Sequence, residues 1–393
     1  MTAATPRTPL YASPTGLTEL QTVLADTSTS HPKVRVAGAG TAIRWGTAPT
    51  SAVLILDTRS LQGVLRHSPT DMTVAVRSGT PMSRLQNELA AFGQRVAFDA
   101  ARVNAGATVG GLIATADAGP AQQAYGTLRD LVIGATVVLS DGTVARSGGH
   151  VIKNVAGYDL AKLFMGSLGT LGVVAEVVLR LHPLPHTSAT LRLPCAAATA
   201  VTLGSRIIAA ALEPAALDWC HDHLMVRFEG GEEGVQGRLA AVTRLTGASG
   251  EVLRDDEQSP AWQPVHEMAL GRPGDTVLRV GGLPGDGAQL LGAATALADV
   301  WGLHLETASS VGVGVHILRI RAGAPASRGR FLTALRADTA ARGAMVTVRR
   351  RDGLPADTDM WGAPPPTVSV MRAIKRQFDP EGRFGADRLA PWL

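Results

Sequence analysis

Cysteines and long apolar runs are scarce in this 393-residue chain, and each shortage excludes a class of protein. Two cysteines, Cys195 and Cys220, cannot supply the four thiolates that an iron–sulfur cluster normally needs, and they indicate a reducing compartment without a disulfide framework. No run of eighteen apolar residues occurs, so we expect no membrane span. The opening residues lack the apolar core of a signal peptide, which predicts a cytoplasmic protein.

Concentrated positive charge is also missing. The net charge is +4, but Lys and Arg are scattered and only three tyrosines are present. Without a basic patch interleaved with aromatic residues, we expect no nucleic-acid partner. The hydrophobic content of 45% and the 44 glycines are typical of a compact, loop-rich globular protein, and the length predicts two domains.

Three glycine-rich loops dominate the first half of the sequence. Residues 38–42 follow a strand-like apolar run, residues 106–111 precede a helix-like segment, and residues 166–172 lie between a helix-like segment at 158–165 and the strand-like run 173–181. Glycines in such loops let backbone N–H groups approach a flat or anionic ligand where side chains would collide. Each loop taken alone is equally compatible with an ordinary tight turn.

The order and spacing of these loops resemble the FAD-binding domain of the vanillyl-alcohol oxidase / p-cresol methylhydroxylase superfamily. The segment KNVAGYDL at 153–160, followed by GSLGTLGVVAE at 166–176, is most similar to the E subunits of bacterial glycolate oxidase (glycolate dehydrogenase). The first loop is not a Rossmann fingerprint, because its G-x-G-x-x-G pattern is incomplete and no acidic residue follows at the expected distance. The resemblance covers residues 15–185 and, more weakly, the end of the chain.

The resemblance implies an α+β fold with two parts. These are a two-subdomain FAD-binding domain of the p-cresol methylhydroxylase type and a smaller α+β, ferredoxin-like cap domain. We expect residues 1–187 to form the FAD-binding domain, 188–366 the cap, and 367–393 a C-terminal segment that packs back on the FAD-binding domain. In that segment Phe384, Gly385 and Ala386 replace the Asn-Pro-Gly that is usual in the family.

The resemblance also implies non-covalent FAD held by the three loops. Covalent attachment is not expected, because the first loop contains no histidine. Ala116 replaces the family's usual Asn, so one side-chain hydrogen bond is missing, and Tyr125 is either part of the family's Tyr-Gly pair or a packed surface aromatic. The implied cofactor-binding residues are Gly38, Ala39, Gly40, Thr41, Ala42, Ala107, Thr108, Gly110, Gly111, Thr115, Ala116, Gly126, Gly172, Val173 and Val174.

Catalytic residues are not apparent in the sequence. Oxidation of a 2-hydroxy acid needs a cation for the carboxylate and a base for the hydroxyl, besides the flavin. His221 and His223 would share one face of a strand, which is a weak zinc signal, and the His-Pro-Gly-Asp-Gly-Asn-x-His metal motif of catalytic relatives is absent, so no metal is assigned. Four cap arginines either bind the carboxylate or line the solvent face of the sheet: Arg227, Arg279, Arg319 and Arg350.

The resemblance therefore implies an FAD-binding subunit of a glycolate oxidase complex. It would hold flavin for the oxidation of glycolate or a related small 2-hydroxy acid and pass electrons to a partner. The implied partners are a catalytic flavoprotein D subunit and an iron–sulfur F subunit, which would hold the complex at the inner face of the membrane. Two alternatives remain, a self-sufficient FAD-dependent 2-hydroxy acid oxidoreductase and a scaffold that has lost flavin. The intact glycine loops argue against the scaffold.

Overall fold

The structure, a computed structural model, describes residues 10–30, 33–47, 54–151, 158–385 and 387–393. Residues 153–157 of the KNVAGYDL segment lie outside these ranges. Within them the strands form sheets of three, two, five and eight strands. No helix in the described ranges has both the length and the apolar character needed to cross a membrane.

The three-stranded sheet carries the first glycine loop. The strands of this half are β1 (Leu10–Ala12), β2 (Val34–Ala37), β3 (Leu54–Asp57), β4 (Val64–Ser68), β5 (Thr73–Arg77), β6 (Gln94–Arg95), β7 (Val132–Val138), β8 (Val144–Gly148), β9 (Val173–Arg180) and β10 (His182–Pro183). β3 pairs in parallel with β1 and β2, and the first loop begins where β2 ends. The carboxyl ends of parallel strands are common ligand sites, so this position favours binding.

The five-stranded sheet, in the order β4-β5-β9-β7-β8, is antiparallel and carries the other two loops. The helices of this half are α1 (Leu17–Asp26), α2 (Met82–Ala90), α3 (Val109–Thr115), α4 (Gln122–Tyr125) and α5 (Leu128–Leu131), with 3-10 turns at Ala101–Val103 and Leu160–Phe164. Leu85 of α2 and Leu112 of α3 pack on Val76 and Val177 of the sheet. The predicted helix at 158–165 is wrong in type, since only the short 3-10 turn forms.

The eight-stranded sheet is antiparallel throughout, as the expected cap fold requires, in the order β14-β11-β13-β12-β16-β17-β15-β18. Its strands are β11 (Thr187–Pro194), β12 (Ala216–Cys220), β13 (His223–Gly230), β14 (Glu251–Arg254), β15 (Thr276–Gly281), β16 (His304–Ser310), β17 (Val315–Ala322) and β18 (Met345–Arg351). The remaining helices are α6 (Ala197–Ala209), α7 (Glu232–Thr246), α8 (Gln258–Leu270), α9 (Gly287–Val300), α10 (Pro325–Ala340) and α11 (Val368–Phe378), with 3-10 turns at Asp255–Glu257 and Pro284–Asp286.

The two faces of this sheet differ in what covers them. α6, α7, α9 and α10 pack on one face and enclose the largest apolar core, which contains Leu217 and Trp219. Successive side chains on a strand point to opposite faces, so Asp218 lies on the other face. That face carries α8, through Trp262 and Met268, and adjoins the N-terminal half. The sequence pattern missed α8, because Pro260 and Pro264 within it are typical of loops.

The C-terminal segment returns to the first sheet. The backbone N–H of Val34 donates a hydrogen bond to the carbonyl of Arg383 at 2.8 Å, and Phe384 is fully buried against α1 and the strands beside it. Lys375 donates to the carbonyl of Thr170 in the third glycine loop at 2.6 Å. These contacts place the last residues of the chain beside β2, which leads into the first glycine loop, and beside the third glycine loop.

Candidate functional site

The three glycine loops converge on one elongated cleft. Its empty volume is about 1220 Å³ with the open side included, above the roughly 300–1,000 Å³ that is usual for a small-molecule site. Eleven of the fifteen predicted cofactor residues line it: Gly38, Ala39, Gly40, Thr41, Ala42, Thr108, Gly110, Gly111, Thr115, Gly172 and Val174.

Close backbone packing explains two of these glycines. A Cβ atom on Gly38 would lie 2.6 Å from Oγ1 of Thr108, and one on Gly110 would lie 2.7 Å from Cβ of Ser78. Oγ1 of Thr108 is also the cap of α3, since it accepts a hydrogen bond from the backbone N–H of Gly111 at 3.2 Å. The second loop therefore packs on the first loop at Gly38 and on Ser78, which follows β5, at Gly110, and neither contact leaves room for a larger side chain.

Two further observations show that the cleft suits a polar ligand. The hydroxyl oxygen of Ser78 is buried, lines the cleft and has no hydrogen-bond partner among the described residues, although buried polar groups are normally paired. Gly40 has φ +71° and a Cβ there would meet nothing within 4 Å, so its backbone borders open space. These features fit the diphosphate and sugar groups of FAD.

The other four predicted residues lie elsewhere. Ala107 is a buried residue of the second loop, and its carbonyl accepts from the N–H of Met82 at 3.0 Å; Val173 is buried in the core beside the first sheet. Ala116, at φ +47°, ends α3 and lines a second cavity. Gly126 lines neither cavity, and a Cβ there would lie 2.5 Å from the carboxylate of Asp130, which caps α5.

Several residues that line the cleft were missed by sequence reasoning. Ser78 contributes to one wall beside residues 167–169 of the third loop, and Arg383, Gly385 and Arg388 arrive from the C-terminal segment; of these, Ser78 and the C-terminal residues lie outside the three loops expected to hold FAD. Burial and the neighbouring Arg351 and Arg35 lower the pKa of Arg388 to about 10, so it stays cationic at neutral pH. Because the family's usual Asn-Pro-Gly is replaced in this chain, sequence reasoning did not assign the C-terminal residues to the site. The arginines of this segment were the signal that could have identified them.

The second cavity lies between the C-terminal end of α3 and the eight-stranded sheet. Asp117 comes from the N-terminal half, His266 from α8, and Asp218, Arg279 and Arg349 from the sheet. Burial and the guanidinium of Arg279 lower the pKa of Arg349 to about 9. Because Ala116 and Thr115 are adjacent in sequence, the second cavity adjoins the end of the glycine-loop cleft.

The four arginines considered either as carboxylate ligands or as residues of the solvent face divide into two groups. Arg279 lines the second cavity, where burial lowers its pKa. The other three are ion-paired: Arg227 with Asp99 at 2.9 Å, Arg319 with Asp275 at 2.6 Å and Arg350 with Asp352 at 2.8 Å. Arg349, which lines the cavity instead of Arg350, was missed. Val346 and Val348 are apolar and belong to the core on one face of the sheet, so the side chain of residue 349 points to the opposite face. This alternation was the signal that could have identified Arg349.

Three other candidate residues have structural environments of their own. Tyr125 is half-buried, and its hydroxyl donates to Glu229 at 2.9 Å and accepts from Arg95 at 3.0 Å, which joins the N-terminal half to β13. His221 lies exposed in the tight turn between β12 and β13 at φ +47°, whereas His223 begins β13, so the expectation that they share one face of a strand is wrong. Within the described ranges no cluster of three His, Cys, Asp or Glu side chains could hold a metal ion.

A cleft built by three glycine loops, beside a large antiparallel sheet, defines an FAD-binding flavoprotein of the p-cresol methylhydroxylase type. The FAD binding domain family matches residues 8–148. Alkyldihydroxyacetonephosphate synthase has the same fold, with a TM-score of 0.71 over 95% of this chain and 76% of that chain at 16% sequence identity.

Sequence comparison then gives the particular family. The chain is 32% identical over 282 residues to glycolate oxidase subunit GlcE of Escherichia coli, a match that covers 70% of this chain and 76% of that protein. It is 34% identical over 224 residues to glycolate oxidase subunit GlcD of Bacillus subtilis and 32% identical over 185 residues to D-lactate dehydrogenase of Archaeoglobus fulgidus. These matches cover 47% and 41% of those two relatives. The chain belongs to the GlcE family of FAD-dependent oxidoreductases and binds FAD.

Proposed function

We propose that this chain is the FAD-binding subunit of a glycolate oxidase complex. In this role it holds flavin for the oxidation of glycolate or a related 2-hydroxy acid and passes electrons to a partner chain. The glycine-loop cleft carries the proposal, because its unpaired Ser78 hydroxyl and the open backbone at Gly40 fit the polar groups of a dinucleotide. The relatives GlcE and GlcD, named as glycolate oxidase subunits, support the substrate.

The residues have separate tasks in this proposal. When bound, FAD supplies the capacity to accept two electrons as a hydride. The backbone of the first loop and the cations Arg35 and Arg388 would hold the diphosphate, since both arginines line the cleft. Ser78 would donate or accept one hydrogen bond, and Ala116 marks the passage to the second cavity.

The proposal requires partners, which we take to be a catalytic flavoprotein D subunit and an iron–sulfur F subunit. Burial raises the pKa of Cys220 to about 12, so this thiol stays protonated and is a poor iron ligand. Cys195 and Cys220 are both free, and two thiols are too few for a cluster. An iron–sulfur relay must therefore lie in another chain. We place the complex in the cytoplasm, bound to the membrane through its partners.

The second cavity supports another function for the same fold. Arg279 and Arg349 line it without a carboxylate partner of their own among the described ion pairs, and paired guanidinium groups suit a carboxylate ligand. A substrate bound there would make the chain a self-sufficient FAD-dependent 2-hydroxy acid oxidoreductase. This alternative needs no partner for the first half-reaction.

Anaerobic mixing distinguishes the two functions. The purified, flavin-loaded chain is mixed with glycolate and, separately, with D-lactate, and the flavin absorption band is followed with and without the partner subunits. Bleaching only in the assembled complex supports the subunit function, whereas bleaching of the isolated chain supports the self-sufficient enzyme. Acetate, which lacks the hydroxyl group, is the matched control and should bleach neither. An unchanged band in every mixture contradicts both functions.

A further inference from the structure

Asp218 is a buried carboxyl group with one oxygen left unpaired. It lies in the middle of β12, is 3% exposed and lines the second cavity. Oγ of Ser310 on the neighbouring strand donates to its Oδ1 at 2.5 Å, whereas Oδ2 has no hydrogen-bond partner among the described residues. A buried oxygen without a partner is costly as part of a carboxylate and much less so when it carries a proton.

Burial favours the protonated form of Asp218. Burial and the negative charge of Asp99 raise the pKa of Asp218 to about 7, against the hydrogen bond from Ser310 and the attraction of Arg227 on β13. Arg227 is already paired with Asp99 at 2.9 Å and lies 3.5 Å from Glu229. From α8, His266 faces the same cavity, and burial lowers its pKa.

Two further titratable groups lie farther along β12 and the neighbouring β16, beyond the pairing of Asp218 with Ser310. Cys220, two residues along β12, is uncharged because burial raises its pKa to about 12. Glu306 on β16 is paired with Arg319 and Arg321. Neither group is a cation that would stabilise the carboxylate form of Asp218, whose pKa of about 7 is in the range where general acid–base residues work best.

The position of Asp218 relative to Arg279 suits a short ligand. In the order β12-β16-β17-β15 the two residues lie three strands apart, roughly 14 Å between backbones at the usual spacing of neighbouring strands. No ion pair joins them within the described part of the chain, and both line one cavity. Because both side chains line that cavity, a hydroxy carboxylate bound between them would have a cation on one side and a proton acceptor on the other.

We propose that Asp218 accepts the hydroxyl proton of a 2-hydroxy carboxylate bound in the second cavity. The proposal rests on the second of the two proposed functions, the self-sufficient oxidoreductase, since it assigns the base for an oxidation within this chain. The hydroxyl O–H bond breaks and its proton goes to Asp218, while the Cα–H bond breaks and its hydrogen leaves with both electrons to FAD. The substrate becomes a 2-oxo acid, FAD is reduced by two electrons, and Asp218 later releases its proton to solvent.

The first test is the rate of flavin reduction in Asp218→Asn. This substitution keeps the size of the side chain and an oxygen that accepts from Ser310. We expect anaerobic reduction of the flavin in the isolated chain by glycolate or D-lactate to slow by about 10²–10⁴-fold with the half-saturating concentration unchanged. The rate of the wild-type protein should fall below about pH 7, where Asp218 is protonated, and the variant should lose that dependence. Asp222→Asn, at an exposed turn outside the cavity, is the control and should match the wild type.

A second readout does not depend on turnover. The infrared absorption of a protonated carboxyl group is compared in flavin-loaded protein at about pH 5 and about pH 9, with the wild type and both variants. A band that disappears with rising pH in the wild type and in Asp222→Asn, but is missing from Asp218→Asn, supports the inference. If no hydroxy acid reduces the flavin while this band is present, the proposed function fails and the ionisation of Asp218 stands. The inference would be overturned if Asp218→Asn reduced its flavin at the wild-type rate, or if the wild type showed no such infrared band. It would also be overturned if the expected loss of flavin-reduction rate occurred in His266→Gln and not in Asp218→Asn.

Discussion

The guanidinium carbon of Arg349 lies 3.9 Å from the ring centre of Trp45, within the distance of a cation–π contact. Arg102 stacks on the same indole ring at 4.0 Å and is paired with Asp117 at 3.3 Å. Trp45 is almost fully buried, so the charge of Arg349 is held in a dry environment. The contact fixes Arg349 at the wall of the second cavity and leaves that wall positively charged.

Replacing Arg279 should weaken anion binding in that cavity. In Arg279→Gln we expect glyoxylate to bind roughly 10- to 100-fold more weakly, because hydrogen bonds to charged groups contribute about 1.5–3 kcal/mol. Titration of the flavin absorption spectrum with glyoxylate measures the change, and flavin content should be unaffected. Arg321→Gln, an exposed arginine on the same sheet paired with Glu306, is the matched control. Equal affinities in the two variants would contradict this assignment.

A carboxylate in the first loop should repel FAD. Ala39 is exposed and lines the cleft, so Ala39→Glu adds charge beside the expected diphosphate without disturbing a packed core. We expect flavin retention after gel filtration to fall strongly, with an unchanged circular dichroism spectrum. Ala39→Gln has nearly the same size without the charge and should keep most of the flavin. Full flavin in both variants would mean that this loop does not contact the phosphates.

Gly110 should tolerate no side chain. Its Cβ would meet Ser78 at 2.7 Å, so Gly110→Val must displace the second loop, and overpacking of this kind costs about 1–3 kcal/mol of unfolding free energy. Thermal unfolding and flavin content should both fall. Gly149→Val is the comparison, because a Cβ there meets nothing within 4 Å. The neighbouring Gly148 cannot serve as this comparison, because it has φ +73° and a Cβ there would lie 2.1 Å from the carbonyl oxygen of Ile133.

The flavin should be released by acid. No histidine or cysteine lines the cleft in the described part of the chain, so the structure offers no imidazole or thiol for a covalent link there. Acid precipitation should leave the yellow colour in the supernatant. Flavin fluorescence that stays with the denatured polypeptide on a gel would show that the attachment is covalent.

Asp218 should make stability depend on pH in a defined window. Its pKa is near 3.8 when unfolded and about 7 when folded, so the folded state binds the extra proton between these values. The unfolding free energy contributed by this group is therefore present at low pH and declines as pH rises to about 7, by up to about 1.4 kcal/mol per pKa unit. His316, with a pKa lowered to about 4 by burial, contributes in the opposite direction between about 4 and 6.5.

Comparing variants isolates the contribution of Asp218, because that of His316 cancels. Urea unfolding at several pH values should show Asp218→Asn gaining stability relative to the wild type as the pH rises from 5 to 8. Asp222→Asn should follow the wild-type curve at every pH. Parallel curves for all three proteins would show that the carboxyl group at position 218 does not titrate in this window.

Local sequence determined the parts of the site that depend on neighbouring residues. Thr108 caps the helix that follows it, a contact between close neighbours in the chain. The resemblance of the three glycine loops to a flavoprotein family supplied the fifteen predicted cofactor residues, and eleven of them line the cleft. The contacts that require glycine at positions 38 and 110 come from Thr108 and Ser78, which are distant in the sequence.

Tertiary structure decided the rest, because the contacts involved join residues far apart in the chain. Arg388 reaches the cleft only through the return of the C-terminal segment to β2. Asp218 meets its cavity only because α8 and the N-terminal half cover one face of the eight-stranded sheet. The alternation of side chains along a strand shows which residues share a face. Whether those residues are buried, keep their charge or line a cavity depends on what packs against that face. The sequence therefore determined the glycine loops and the flavin, and the tertiary structure determined the second cavity and the residues that meet there.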